Sequence, residues 1–226
     1  MEHEKNKVET PGNGKTERSP LASKSLITCL FVDIGGVLLS DGWDHFSRAL
    51  AAKKFGLNSD EMDIRHNQTF YTFEIGKITI DEYLNRTVFY EKRGFTGAEF
   101  KKFMFMQSKE CPLMIDLVRK LKAEYDLKVV VVSNESRELN TYRIEKFKLA
   151  EFVDFFVSSC YVHFRKPDKD IFRLAVDIAQ VPVNQIVYIE NTPMFVQVAE
   201  SLGIQSILHK EYKSTCAKLA SFGLKV

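Results

Sequence analysis

No stretch of this chain reaches the ~20 consecutive apolar residues that a membrane-spanning helix needs. The opening MEHEKNKVETPGNGKTERSP contains no hydrophobic block, so it does not read as a secretory signal. Cysteine is scarce. The four present, Cys29, Cys111, Cys160 and Cys216, are scattered without metal-ligand spacing. A disulfide framework is not expected, and the thiols read as reduced and partly buried. An excess of one charge is missing too. Against 30 acidic residues stand 32 basic ones, and a formal charge of +2 gives no reason to expect nucleic acid or an anionic membrane as partner. The expectation is a cytoplasmic protein.

Residues 1–24 mix charges with Gly and Pro and offer little apolar surface to bury, so a disordered tail is expected there. From Ser25 onward short apolar runs alternate with helical periodicity. Leu26 to Val32 reads as a strand, and Lys128–Val132 as another, continuous enough to be covered on both faces. Met114, Leu117, Val118 and Leu121 mark one stripe of a helix that Pro112 precedes. A helix over Glu138–Phe147, a strand over Phe152–Val157 and a helix around Ile171–Ile178 follow. Ile186–Ile189 then reads as strand, Pro193–Leu202 as helix and Ser206–Leu208 as a last short strand. Such alternation predicts an α/β fold with a doubly wound parallel sheet.

Between Ser40 and Cys111 β-branched runs of strand length are lacking. Thr79…Glu82 and Thr96…Glu99 have the spacing of capping boxes, and Phe70, Phe73, Tyr83, Phe89, Phe100 and Phe103 supply aromatic bulk. These features predict a helical cap over 41–111, inserted into a core made of 25–40 and 112–226.

In an open parallel sheet, ligands bind outside the carboxyl ends of the strands. The strand ends here bring Asp33, Ser133 and Glu190 to one rim, with Lys166 in the loop after the third strand. A carboxylate there can attack phosphorus and split one displacement into two through an acyl phosphate. Carboxylate and phosphate repel, so a divalent cation between them is expected; hard oxygens suit Mg²⁺, with Asp33, a backbone carbonyl and Glu190 as ligands. Lys166 and the Ser133 hydroxyl would hold phosphate oxygens. Gly35 and Gly36 let the backbone approach closely. Singly, each of these side chains has a plain structural alternative as a cap or a solvated charge.

In order and spacing the chain resembles the haloacid dehalogenase superfamily over essentially all of 25–226. Asp33-Ile34-Gly35-Gly36-Val37-Leu38 resembles its first motif, Val130–Ser133-Asn134 the second, Lys166-Pro167-Asp168 the third, and Ile189-Glu190-Asn191 through Gly203 the fourth. The resemblance implies a Rossmann-like core with a C1-type cap, Asp33 and Lys166 as catalytic residues, and Ser133, Asn134 and Lys166 at the substrate. It further implies Asp33, Gly35 (through its carbonyl), Glu190 and Asn191 around the metal. Two positions depart from the pattern. Gly35 stands where a proton-donating aspartate is usual, and Asn191 is a neutral, weaker ligand. Asp41, His45 and His163 are alternative proton donors, and Arg137 could reach a substrate anion. Trp43, Arg48, His66 and Phe70 are cap residues that could set specificity.

The function this implies is Mg²⁺-dependent phosphatase action on a small phosphorylated metabolite. The alternatives are a weakly catalytic relative that binds a phospho-ligand or protein, and a metal-independent dehalogenase.

Overall fold

In the computed structural model, Met1 and residues 26–225 are described. Apart from Met1, the tail expected over 1–24 lies outside them. Five strands, β1 (Cys29–Val32), β2 (Lys128–Ser133), β3 (Phe155–Ser158), β4 (Ile186–Glu190) and β5 (Gln205–Leu208), pair in parallel in the order β3-β2-β1-β4-β5. The period of two along each strand divides its side chains between two cores. Leu30, Val32, Val129 and Val131 pack with Leu117, Val118 and Leu219, whereas Phe31, Val130 and Val132 pack with Phe172, Ala175 and Ala199. Helices cover both faces, which is why these strands read as unbroken apolar runs.

The helices in chain order are α1 (His45–Phe55), α2 (Ser59–Glu74), α3 (Ile80–Thr87), α4 (Gly97–Met106), α5 (Pro112–Tyr125) and α6 (Arg137–Lys146). Then come α7 (Ser159–Val162), α8 (Lys169–Ala179), α9 (Pro193–Glu200) and α10 (Tyr212–Ser221). Helices α1–α4 form the cap, packed about Phe73, Tyr83, Leu84, Phe100 and Met104. Tyr83 is fully buried and stacks on Phe73 with ring centroids 4.1 Å apart. Both capping boxes form, Thr79 with Glu82 on α3 and Thr96 with Glu99 on α4; removing such a cap typically costs about 1 kcal/mol.

Two strands start three residues later than the sequence reading has them, and the other strand ends move by at most one residue. The first strand starts at Cys29, because Leu26 is exposed. The third starts at Phe155, because the preceding residues are held in a turn. Asp154 receives the Val129 amide on Oδ2 at 2.8 Å and donates its own amide to the Val129 carbonyl at 2.8 Å. Helix α10 has no counterpart in the sequence reading; Leu219 anchors it in the core.

Two sets of hydrogen bonds to backbone carbonyls are among the ties between cap and core. The linkers run side by side, Ser40 donating its amide to the Lys109 carbonyl at 2.8 Å and Cys111 its amide to the Leu38 carbonyl at 2.9 Å. At the C-terminal end of α2, Ser159 Oγ donates to the Glu74 carbonyl and His163 Nδ1 to the Ile75 carbonyl, each at 2.7 Å. Between these ties lies a cavity of about 340 Å³ at the carboxyl ends of β1, β2 and β4, beside the point between β1 and β4 where the strand order reverses.

Candidate active site

Asp33 follows β1 directly and lines the cavity at 7% exposure. Its Oδ1 accepts the Ile34 amide at 2.8 Å, and its Oδ2 faces Lys166 Nζ at 3.0 Å. Lys166 is fully buried. Its ammonium also donates to Glu190 Oε2 at 2.5 Å and to the Tyr188 hydroxyl at 3.1 Å, so all three donors are spent inside the protein. Tyr188 in turn donates to Glu190 Oε2, and Glu190 Oε1 accepts the Thr192 amide at 2.8 Å. Glu190 is fully buried and does not line the cavity. The two carboxylates flanking Lys166 are therefore unequal: one is sealed behind it, and the other faces the cleft.

Burial pushes the Asp33 carboxyl up to about 7; the Lys166 charge opposes this and Glu190 adds to it. Burial also works against the Lys166 charge, yet Asp33 and Glu190 outweigh it and its pKa rises. Burial, then the Glu190 charge, hold Tyr188 well above the ordinary phenol range, so it remains a donor.

A carboxyl group lies against position 35. A Cβ built on Gly35 would lie 3.3 Å from Asp41 Oδ1, which places the Asp41 carboxyl against that turn. Gly36 has φ +69°, and a Cβ there would fall 2.0 Å from Asn191 Nδ2. Glycine is needed for both the backbone angle and the room. Burial, then the nearby Asp44, raise the Asp41 pKa, while Arg143 and a hydrogen bond with Asn191 oppose the shift.

Trp43, Arg48, His66 and Phe70 all line the cavity from the cap. Arg48 is committed to Asp63, with Nε to Oδ1 at 2.7 Å, and to the Trp43 carbonyl at 3.0 Å. Trp43 Nε1 donates to the Tyr83 hydroxyl at 3.0 Å, and that hydroxyl lies 2.8 Å from His66 Nδ1. Burial, assisted by Arg48, lowers His66 to about 4, so it is neutral near pH 7.

Several site candidates are engaged inside the protein. Both Glu190 oxygens, expected at the metal, accept hydrogen bonds within the protein, and Oε2 pairs with Lys166. The Asn134 side chain, expected at the substrate, embraces the Lys166 backbone, accepting its amide at 2.8 Å and donating to its carbonyl at 2.9 Å. His45 pairs with Asp63 at 2.9 Å outside the cavity, His163 is bound to the Ile75 carbonyl, and Arg137 donates to the Cys160 carbonyl at 2.7 Å. Of the alternative proton donors, Asp41 alone lines the cavity. Sequence reading missed Tyr188, Phe195, the ion pair of Arg165 with Glu74 at 2.8 Å, and the buried pair of Arg143 with Glu135. For Tyr188 a signal existed: it lies two residues before Glu190 and so shares its face of β4.

Among the described residues, no group of three or more His, Cys, Asp and Glu side chains is set to hold a metal. The cavity lining does include residues with hard oxygen donors: Asp33 and Asp41 with carboxylates, Asn191 with an amide, and Gly35, which can offer its backbone carbonyl. Mg²⁺ commonly takes only one or two carboxylates and keeps several waters, and this donor set fits that habit.

Residues 46–209 match the haloacid dehalogenase-like hydrolase family. The chain belongs to that family. The chloroplast flavin mononucleotide hydrolase 1 of Arabidopsis thaliana is 23% identical, over 98% of this chain and 89% of its own length. A drimenol cyclase of Aspergillus calidoustus is 27% identical over 82% of this chain, which spans 35% of that longer protein. A haloacid dehalogenase-family enzyme of Bacteroides thetaiotaomicron, solved with magnesium and inorganic phosphate, shares the fold. Its TM-score is 0.70 and its identity 21%, over 81% of this chain and 94% of that one.

Proposed function

We propose that this hydrolase is a Mg²⁺-dependent phosphatase that acts on a small phosphorylated compound through an aspartyl-phosphate on Asp33. The observation that carries the reading is the asymmetry about Lys166: Asp33 faces the cleft, and Glu190 is sealed behind. Support comes also from a relative that hydrolyses a phosphate ester and a fold neighbour that holds magnesium with phosphate.

In this reading an Asp33 oxygen attacks phosphorus, and the bond from phosphorus to the leaving oxygen breaks. Its electron pair passes to that oxygen, which takes a proton from Asp41, the carboxyl packed against Gly35. Water then attacks the phosphorus of the aspartyl-phosphate, freeing inorganic phosphate and the Asp33 carboxylate, while Asp41 takes up the water's proton. Lys166 keeps Asp33 ionised and aimed, Glu190 and Tyr188 hold Lys166, and the Ser133 hydroxyl binds a phosphate oxygen. Asp33, the Gly35 carbonyl and Asn191 would hold Mg²⁺, which when bound offsets the repulsion between carboxylate and phosphate.

Phosphate release from acetyl phosphate and p-nitrophenyl phosphate is the test. It is expected to vanish with EDTA and in Asp33→Asn; robust turnover by that variant would remove the nucleophile. The neutral Asn191 favours a second reading, a phospho-ligand binder. Thermal stabilisation by phosphate esters with no turnover across a broad panel separates it from the first.

A further inference from the structure

Resting on the phosphatase reading, we infer that the substrate's leaving group is an uncharged, planar alcohol seated between Trp43, Phe70 and Phe195. The cavity above Asp33 is walled by these rings, two from the cap and one from α9. Every cation that lines it is already matched. Arg48 is held by Asp63, Arg165 by Glu74, Arg143 by Glu135, and Lys166 by Asp33 and Glu190. Asp41 and Asp44 add carboxylates to the same wall. A second phosphate or a carboxylate on the leaving group would therefore meet no spare positive charge and would be repelled.

The wall still has donors to offer. Ser136 Oγ and Arg165 Nε are buried and without a hydrogen-bond partner, and both residues line the cavity. Arg165 sits over Phe70, its Cζ 4.9 Å from the ring centroid, while its Nη2 pairs with Glu74. His66 stacks on Phe70 with centroids 5.3 Å apart. The Tyr83 hydroxyl accepts the Trp43 indole N–H and lies 2.8 Å from His66 Nδ1, so the phenol engages that ring nitrogen of the imidazole. Stacked rings with unspent donors suit a flat ring that bears neutral oxygen or nitrogen acceptors.

The test compares kcat/KM at saturating Mg²⁺ for benzyl phosphate, whose leaving alcohol is planar and uncharged, with that for glycerol 3-phosphate and for two esters whose leaving groups are anionic, phosphoglycolate and a hexose bisphosphate. Benzyl phosphate is expected to lead the two anionic esters by at least about tenfold, by charge repulsion at the cavity wall, and glycerol 3-phosphate by a smaller factor. Phe70→Ala is expected to narrow the lead over glycerol 3-phosphate, chiefly through KM. Glu74→Gln, which unmatches Arg165, is expected to move the ratio toward phosphoglycolate. Equal or reversed preference in the wild type, or ratios unmoved in both variants, overturns the inference. Should acetyl phosphate and all esters fail to turn over, the phosphatase reading falls. Ester binding to Asp33→Asn by calorimetry then still ranks planar neutral against anionic ligands and decides the inference alone.

Discussion

Arg143 on α6 donates a 2.7 Å hydrogen bond from Nη2 to the backbone carbonyl of Asp41, 102 positions earlier in the chain. The same guanidinium donates from Nε to Ser108 Oγ at 2.9 Å and from Nη1 to Glu135. Asp41 and Ser108 lie on the two linkers between cap and core, and Glu135 lies two residues beyond the Ser133 hydroxyl. One buried side chain therefore fixes the cap's attachment relative to the cavity-lining loop after β2. Gly42 makes the approach possible: its φ is +78°, and a Cβ there would lie 1.6 Å from Arg143 Nη2.

Replacing Arg143 with Met should destabilise the protein by about 3–5 kcal/mol, since it leaves Glu135 buried without a partner. Arg143→Lys should recover only part of this, because an ammonium cannot span three acceptors arranged around a planar fork. Urea denaturation of the three proteins measures the differences. If Arg143→Met lies within about 1 kcal/mol of wild type, the guanidinium is not what holds the linkers.

Lys166→Met leaves Asp33 and Glu190 facing each other in a buried site with no cation between them. A loss of about 3–5 kcal/mol in stability is expected, together with loss of phosphate release. Glu190→Gln should be milder, because Lys166 keeps Asp33 as a partner and Gln can still accept from Tyr188. Wild-type activity in Lys166→Met would show that Asp33 needs no such support.

Much of the core was legible because its strands obey one simple rule. The Val129–Val132 run is apolar on both faces only if helices cover both, and the paired cores around Phe31 and Leu30 meet that condition. The strand-end rule placed Asp33, Ser133 and Lys166 together. What the sequence could not convey is how charges share partners. Nothing in the spacing says that Glu190 spends both oxygens on Lys166, Tyr188 and Thr192, or that Asp41 fills the space beside Gly35. Arg143 and Glu135 are eight positions apart, and nothing in their spacing pairs them; the packed linkers make them a buried pair.

Asn191→Asp should tighten Mg²⁺ binding. The substitution turns a neutral amide into an anion beside Asp33 and Asp41, and ligand charge is a main determinant of affinity for a hard cation. A fall of about tenfold in the Mg²⁺ concentration that half-saturates activity is expected. In the absence of metal the variant should melt lower than wild type, since it places three carboxylates together and removes the hydrogen bond between Asn191 and Asp41. Unchanged Mg²⁺ dependence would put the metal away from Asn191.

His66 makes the cap's stability depend on pH in a window set by its own shift. Its pKa falls from 6.5 to about 4 on folding, first because it is buried and then because of Arg48, with Asp63 acting in the opposite sense. The folded cap thus keeps the imidazole neutral, while the unfolded chain takes up a proton below pH 6.5. Stability is full above that value and declines as the pH falls toward about 4. With allowance for partial exposure, the loss between pH 7 and pH 5 should be about 1–2 kcal/mol. His66→Gln keeps an acceptor for the Tyr83 hydroxyl but cannot titrate, so its denaturation midpoint should change less between pH 7 and pH 5. A variant that loses as much stability as wild type over that interval would place the pH dependence elsewhere. Shielding from water and the Arg48 charge are what hold His66 neutral, so emptying its surroundings should return its titration toward the ordinary range. Phe70→Ala, which uncovers one face of the ring, should accordingly raise the His66 pKa, read from its imidazole NMR shifts, and weaken the pH dependence along with it.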